Sequence, residues 1–410
     1  MLQPIAVGQK SLADYTHLAG RPLVGEIREL AEGLDGLRVL HVSATAFGGG
    51  VSEILYALLP LMRDVGIDAE WQVMLGREEF YNATKRIHNA LQGNPSVPSE
   101  EEWKVYHRYN ALNATEITGG WDVIVTHDPQ PAAIHEHVPE KARLWAWRCH
   151  IDLSTPNPEV LERMLPLIAP YDVKVFHLEE YIPAGIDGRM GHVCPPAIDP
   201  LSPKNMQLSP EDAAFVCDQF GIDVDRPLMC QVSRFDPWKD PMGVIDAYRV
   251  VKQQLPDVQL ALVGSMATDD PEGWEFFNST MAYADGDPDI HILNNLNNVG
   301  AIEVNAFQSQ ADVMIQKSKR EGFGLTVTEA LWKARPLIGG DVGGIPLQVR
   351  NAETGYLVSS PEECAERAVA ILRDPNLGKR LGRTGKEHVR RNFLMPRLLR
   401  DWLRIFKEHL

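Results

Sequence analysis

The chain has 410 residues, 44% hydrophobic and 23% charged, and its 56 acidic against 40 basic side chains give a formal net charge of −16. That length exceeds one ordinary core and predicts two domains of roughly 200 residues. The acidic excess argues against nucleic acid and anionic membrane as main partners, but leaves room for an anionic small ligand met by a few placed cations.

Met1 to Lys10 shows no basic flank ahead of an apolar core, so no signal peptide is expected. No apolar run approaches the ~20 residues that span a bilayer. Residues 10–33 read as helical, and then a βα rhythm begins. Leu37–Ser43 reads as a strand, Val51–Val65 as a helix and Ile67–Leu75 as the next strand. Residues 76–120 read as mostly helical around a polar loop at 93–99. Strand-like runs recur at Trp121–Thr126, Leu144–Cys149 and Val173–Leu178. The proline-dense stretch Cys194 to Pro203 suits a linker. The rhythm then restarts with strands at Pro227–Ser233, Val258–Gly264, Ile290–Leu293, Ala311–Gln316 and Pro336–Gly339. Helices are expected at Pro241–Leu255, 361–373 and 377–408. Such alternation predicts α/β architecture, two doubly wound parallel sheets with ligands at the carboxyl ends of their strands.

Five scattered cysteines (Cys149, Cys194, Cys217, Cys230 and Cys364) without a CxxC pair read as reduced thiols of a cytoplasmic protein. No His or Cys spacing supports a metal site, and no G-x-S-x-G elbow supports serine hydrolysis.

The candidate chemistry lies at strand ends. Phe47-Gly-Gly-Gly-Val-Ser-Glu53 follows a strand and opens a helix. Its glycines let backbone N–H groups approach an anion; the alternative is a tight turn without a ligand. Ser233-Arg-Phe-Asp-Pro-Trp-Lys239 supplies a forked guanidinium and a compact ammonium, both suited to a diphosphate. The alternative there is surface pairing of Arg234 with Asp236 or of Lys239 with Asp240. Glu321-Gly-Phe-Gly-Leu-Thr-Val-Thr-Glu329 holds two carboxylates around a glycine loop and a helix start. The N–H groups of Leu325, Thr326 and Val327 would face a phosphate. Thr326-x-x-Glu329 also fits a capping box, which would make Glu329 structural. In the first half, His127-Asp-Pro-Gln130, Arg148-Cys-His-Ile-Asp152 and His177-Leu-Glu-Glu180 end successive strands. Each member reads either as a sugar ligand or as a satisfied buried group. Trp145 and Trp147 share one sheet face and read as core.

These signals, with Gly343-Gly344 and Thr354-Gly-Tyr-Leu-Val358, resemble the retaining glycosyltransferases of family 4, which have the GT-B fold. Longer matches, among them His41 to Leu55, His88 to Asn94, Trp147 to Ser154 and Arg320 to Ala330, resemble the trehalose-forming subgroup of that family. Gln348 stands where many family members carry a glutamate. The resemblance implies two Rossmann-like domains facing a central cleft. Residues 1–200 would take the acceptor, 201–390 the nucleotide sugar, and 391–410 would form a helix returning to the first domain. It implies transfer of glucose from a nucleoside-diphosphate glucose (ADP- or UDP-glucose) to free glucose, giving α,α-trehalose. No tightly bound cofactor is implied, Mg²⁺ stimulation stays open, and a homodimer is expected.

The resemblance carries roles over to matching positions. Arg234 and Lys239 stabilise the leaving diphosphate. Gly49, Gly50, Leu325, Thr326 and Val327 add N–H donors. Glu321 binds donor glucose, Glu329 the ribose, and His150 orients the donor sugar. Asp128, Gln130, Arg148 and Asp152 are further sugar-contact candidates. The base pocket is expected near residues 264–268 and 293–296. A trehalose phosphorylase and a glucosyltransferase with another small acceptor are the near alternatives; a non-catalytic sugar-binding protein and a nicotinamide dehydrogenase fit less well.

Overall fold

A computed structural model describes residues 2–139, 142–187, 190–266 and 271–410. The chain divides into two compact units, Met1–Ala197 with Leu394–Leu410, and Ile198–Phe393. The first crossing falls inside the proline-dense stretch. Among the described residues no helix is long and apolar enough to cross a membrane, and all five cysteines are free and buried.

The first unit is built on a seven-stranded sheet. Its strands are β1 (Leu2–Pro4), β2 (Arg38–Ser43), β3 (Asp68–Met74), β4 (Val123–His127), β5 (Leu144–Arg148), β6 (Val173–Phe176) and β7 (Gly191–Val193), in the order β1-β3-β2-β4-β5-β6-β7. Only β1 runs antiparallel, on β3. β4 and β5 are buried at every position, as parallel strands covered on both faces must be. Trp145 and Trp147 lie in that core. The register pairs His127 with Arg148, which sets their side chains at one sheet end.

The second unit carries β8 (Leu228–Val232), β9 (Gln259–Gly264), β10 (Ile290–Asn294), β11 (Val313–Gln316), β12 (Leu337–Gly340) and β13 (Tyr356–Val358). They are all parallel, in the order β10-β9-β8-β11-β12-β13. The order reverses between β8 and β11, so the chain leaves those neighbours toward opposite faces and opens a crevice beyond their carboxyl ends.

The helix expected over 377–408 is two helices, Pro375–Asn392 and Met395–His409. Leu394 is extended, and Pro396 sits in the first turn of the second helix, where its missing N–H costs no bond. Strands β1 and β7 and the helices Pro210–Gln219, Pro271–Tyr283 and Ala301–Gln310 add to the elements read from sequence. The two strands have only three residues each, too few for a period-2 pattern to register.

Helix Met395–His409 belongs to the first unit. It buries Leu398, Leu399, Trp402, Leu403 and Phe406, an i, i+3, i+4 stripe. Arg397 fixes its start by donating to the carbonyls of Pro195 (2.8 Å) and Pro196 (2.7 Å), and Lys407 donates to the Glu29 carbonyl (3.2 Å).

Helix Pro375–Asn392 packs through Gly378, Gly382 and Gly385, all buried. A Cβ on Gly382 would be driven into the Ala334 carbonyl, and one on Gly385 would lie 2.7 Å from Leu331 Cδ2. The glycine face is therefore what lets this helix approach the 331–336 segment. Gly382→Ala should destabilise the protein by roughly 1–3 kcal/mol, the usual cost of overpacking, read from urea unfolding midpoints. An unchanged midpoint would mean that the helix moves away freely.

Candidate active site

Two loops leave the sheet of the second unit at its point of reversal, residues 233–240 after β8 and 317–324 after β11. The first contains a short turn, Pro237–Lys239, capped by Asp236, whose Oδ1 accepts the N–H groups of Trp238 (2.9 Å) and Lys239 (3.1 Å). Buried Gln231 donates its amide to the Lys239 carbonyl at 2.7 Å. The second loop is stitched to the first. The Lys319 N–H bonds the Trp238 carbonyl at 2.8 Å. Lys319 Nζ lies 2.8 Å from Asp240 Oδ1, and the buried Lys317 ammonium pairs with the other oxygen.

That stitching brings Lys239 Nζ to 2.7 Å from Glu321 Oε2, with side-chain exposures of only 15% and 9%. Ser318 Oγ donates to the same oxygen at 3.2 Å. Lys239 therefore pairs with the catalytic-candidate acid rather than with Asp240. Arg234 is 72% exposed and lies 3.2 Å from Asp236, which is the surface pair weighed from sequence. Removing one partner of a buried pair strands the other charge, at a typical cost of about 3–5 kcal/mol.

Gly324 turns the chain at φ +82° into helix Leu325–Trp332, and a Cβ there would sit 3.1 Å from Glu321 Cγ. Gln348 braces the same turn. Its amide donates to the carbonyls of Phe323 (2.5 Å) and Gly344 (3.1 Å), and its oxygen accepts from Thr328. An ionised glutamate has no N–H to offer those carbonyls, which gives the glutamine at this position a physical reason.

The capping-box alternative fails. The N-cap is Gly324, so Glu329 sits five residues into the helix chain and its carboxylate does not return to the cap. Glu329 is fully buried instead, 3.1 Å from Lys204 Nζ, and it accepts from Gln308 at 3.2 Å. The Val327 N–H is already bonded to the Gly324 carbonyl at 3.0 Å, so the helix-start donors reduce to Leu325 and Thr326. Of the expected base pocket, Met266 and Asn295 bond each other through N–H to Oδ1 (2.7 Å) and Nδ2 to carbonyl (3.0 Å). Positions 267 and 268 lie outside the described residues.

In the first unit, Gly48 (φ +68°) and Gly49 (φ +127°) lead into helix Gly50–Asp64. No atom lies within 4 Å of where a Cβ on either would stand, so this backbone faces open space. Asp128 holds a left-handed conformation (φ +67°), and its Oδ1 accepts the His150 N–H at 2.6 Å. Arg148 is buried and spends its guanidinium on the carbonyls of Phe176 (3.3 Å) and Cys194 (2.5 Å). Those bonds make it a clamp on the sheet end rather than a cation presented to solvent. Asp152 turns back onto the Ser154 N–H (2.8 Å). Gln130 Oε1 is buried without a hydrogen bond.

His150 belongs to a row of four imidazoles. His41 Nδ1 lies 2.9 Å from His127 Nε2, His127 Nδ1 lies 2.9 Å from His150 Nε2, and His150 Nδ1 lies 3.4 Å from His177 Nε2. Both ring nitrogens of His150 are thus engaged. Burial lowers the His41 pKa to about 3 and holds the other three well below 6.5, with Arg148 adding to the effect on His127, His150 and His177. A small cavity beside the row is lined by Ile54, Leu58, His127, Arg148, His150, Leu398 and Trp402. The sequence marks the strand-end histidines singly; that they touch in series follows only from the strand order. Lys204, Lys317 and Lys319 escaped the sequence reading, because no short motif links them to the acids they meet. Two His/Glu groups elsewhere (His107, Glu136, His137; His192, Glu408, His409) bring possible ligand atoms together, and none of the strand-end residues belongs to either.

Comparison with known proteins places this arrangement. The family described as "Trehalose synthase, N-terminal domain" matches residues 41–183, and "Glycosyl transferases group 1" matches residues 215–388. A trehalose synthase of Rubrobacter xylanophilus is 55% identical over 416 residues, covering 100% of both chains. One of Pyrococcus horikoshii is 47% identical over 400 residues, covering 97% of this chain and 96% of its own. Among solved structures, sucrose-phosphate synthase of Thermosynechococcus elongatus superposes with a TM-score of 0.71 at 17% identity, covering 90% of this chain and 98% of its own. That likeness shows the fold, GT-B.

The titratable groups of the first unit carry opposite signs. The four imidazoles have folded pKa values below their unfolded value, so stability falls as pH drops below about 6.5. Burial pushes the Asp128 carboxyl up from 3.8 to about 7, against the His150 N–H and Arg148. The folded state then holds a proton there that the unfolded chain lacks, and this contribution fades as pH rises toward 7. Asparagine keeps the acceptor and tolerates the left-handed backbone. The stability of Asp128→Asn relative to wild type should therefore rise with pH below neutrality, by up to about 1.4 kcal/mol per pH unit. Urea unfolding at about pH 5 and pH 8 reads it; an equal difference at both would contradict a neutral Asp128.

Proposed function

The chain belongs to the trehalose synthase family of glycosyltransferases, and from that premise we propose that it transfers glucose, with retention, from a nucleoside-diphosphate glucose to free glucose. The products are α,α-trehalose and the nucleoside diphosphate. The observation that carries this proposal is the buried Lys239–Glu321 pair at the strand-order reversal, with exposed Arg234 on the same loop.

An ammonium has three N–H groups. One meets Glu321, which leaves others for phosphate oxygens. Arg234, held only by a surface ion pair, is the mobile second cation. As the anomeric C–O bond breaks, its electron pair passes to the diphosphate, where Lys239 and Arg234 stabilise the growing charge, with the Leu325 and Thr326 N–H groups behind them. The acceptor oxygen bonds the anomeric carbon on the face the phosphate leaves, and its proton passes to the departing phosphate oxygen. Glu321 accepts from donor hydroxyls and lies where positive charge develops on the sugar. Glu329 contacts a ribose only once Lys204 yields; until then it braces the helix. From the first unit we assign Gly49 and Gly50 to the phosphate, and His150, Asp128, Gln130 and Asp152 to sugar hydroxyls.

Incubation with free glucose and a panel of nucleotide glucoses should yield α,α-trehalose and an equal amount of nucleoside diphosphate. Glucose 1-phosphate from trehalose and phosphate, without diphosphate release, would replace this reaction by phosphorolysis. Lys239→Ala should lower kcat on the order of 10²–10³-fold, as loss of one preorganised donor to a developing anion does, and near-wild-type turnover would remove the leaving-group role. Glu321→Gln should likewise fold and lose turnover.

A further inference from the structure

Helix Met395–His409 ends on a histidine that its own periodicity aims inward. Counted from buried Trp402, buried Phe406 stands at i+4 and His409 at i+7, so the imidazole continues the stripe that faces the first unit. The Lys407 bond to the Glu29 carbonyl (3.2 Å) holds this last turn. His409 comes to rest against β7, the three-residue strand that ends the sheet order, and there it meets His192. The two Nε2 atoms lie 2.9 Å apart across 217 residues of sequence, the rings standing edge to face with centroids 5.0 Å apart. Both histidines are half-buried, and exposed Glu408 brings a carboxylate oxygen within 4.8 Å of both ligating nitrogens.

One proton shared between two imidazoles would account for the 2.9 Å contact alone, but it calls for no carboxylate on the same side. Two imidazole nitrogens and a carboxylate oxygen are, by contrast, a set that Zn²⁺ takes, with a fourth position left to water. Zinc held by two imidazoles at tetrahedral angles sets their nitrogens about 3.3 Å apart, so these rings need to part by only a few tenths of an ångström. The exposed Glu408 side chain is free to swing in as the third ligand. The other His/Glu group is looser. There Glu136 Oε2 stands between two rings, 4.0 Å from His107 Nδ1 and 4.0 Å from His137 Nε2, the spacing of a weak ion pair.

We propose that His192, His409 and Glu408 bind a divalent transition metal of the zinc class, which ties the end of helix Met395–His409 to the edge strand β7. Imidazole ligands favour such ions over Mg²⁺ and Ca²⁺, which take oxygen sets. The site lies wholly within the first unit, and it does not rest on the sugar-transfer function proposed above. The distance of 217 residues between its two histidines hides it from any reading of ligand spacing. The same helix carries Leu398 and Trp402 into the wall of the cavity beside His127 and His150, so the metal would steady that wall from its far end. A metal that binds the folded chain in preference to the unfolded one stabilises it by mass action.

Calorimetric titration of the chelator-treated full chain with zinc chloride tests the site. The expected result is saturable uptake that His409→Gln weakens at least about tenfold, since even partners one shell out from a metal count on that scale. Glu408→Gln should weaken it less than His409→Gln does, and His107→Gln should leave it intact. Zinc should raise the thermal unfolding midpoint of the wild type by a few degrees but not that of His409→Gln, and magnesium chloride should raise neither. His192→Gln carries the same test from the strand side if the helix variant does not fold. No saturable uptake, equal uptake by wild type and His409→Gln, or uptake lost in His107→Gln and kept in His409→Gln would overturn the site. An unchanged midpoint in the wild type, or equal rises in wild type and His409→Gln, would overturn the tie.

Discussion

The second unit is organised around one contact, the ammonium of Lys239 against the carboxylate of Glu321 at 2.7 Å, both largely withdrawn from water. Two opposite charges in that setting hold each other in place; apart, each would carry an uncompensated desolvation penalty. The surrounding loops serve to keep them together. Asp240 gathers Lys317 and Lys319, a backbone bond ties residue 319 to Trp238, and Gln231 fixes the Lys239 carbonyl. Behind the acid, Gln348 and Gly344 support the turn at Phe323 and Gly324. The protein's own contacts thus hold the pair in place, as preorganised electrostatics require.

The first unit solves its problem with the opposite chemistry. Its strand ends carry a row of neutral imidazoles and a carboxyl raised to about 7, around an arginine whose N–H groups are spent on carbonyls. Uncharged donors and acceptors of this kind suit sugar hydroxyls, which need hydrogen bonds rather than counter-ions. The C-terminal helix completes this unit, since Leu398 and Trp402 line the cavity beside His127 and His150. Helix Met395–His409 thus contributes to the environment of residues some 250 positions earlier.

Much of this was legible in the sequence, for definable reasons. Alternating apolar runs and helical periods reveal parallel sheets because both faces of each strand are buried, as in Val123–His127. Arg234, Lys239, Glu321 and the glycine loop stand out because they follow strands directly, and a doubly wound sheet puts such residues together. What stayed hidden depends on strand order or on backbone detail. The order β10-β9-β8-β11 makes the loops of Lys239 and Glu321 neighbours across 82 residues, and no local pattern encodes it. The same holds for the contact of His41 with His127. Thr326-x-x-Glu329 imitates a capping box, but the left-handed Gly324 starts the helix two residues earlier than that motif would. Arg148 reads from the sequence as a sugar-contact candidate, and the carbonyls at the ends of β6 and β7 to which it donates are not legible there. The break before Met395 was signalled by Pro396, yet a proline in a first turn disturbs the periodic pattern too little to divide the run.

The central claim is that Lys239 and Arg234 hold a diphosphate beside Glu321. Calorimetric titration with a nucleoside diphosphate lacking any sugar, compared between wild type and Lys239→Met, tests it most directly. The account predicts that the substitution weakens the diphosphate at least about tenfold, a loss of about 1.4 kcal/mol, and leaves binding of the bare nucleoside unchanged. Equal diphosphate affinity in the two proteins would contradict it.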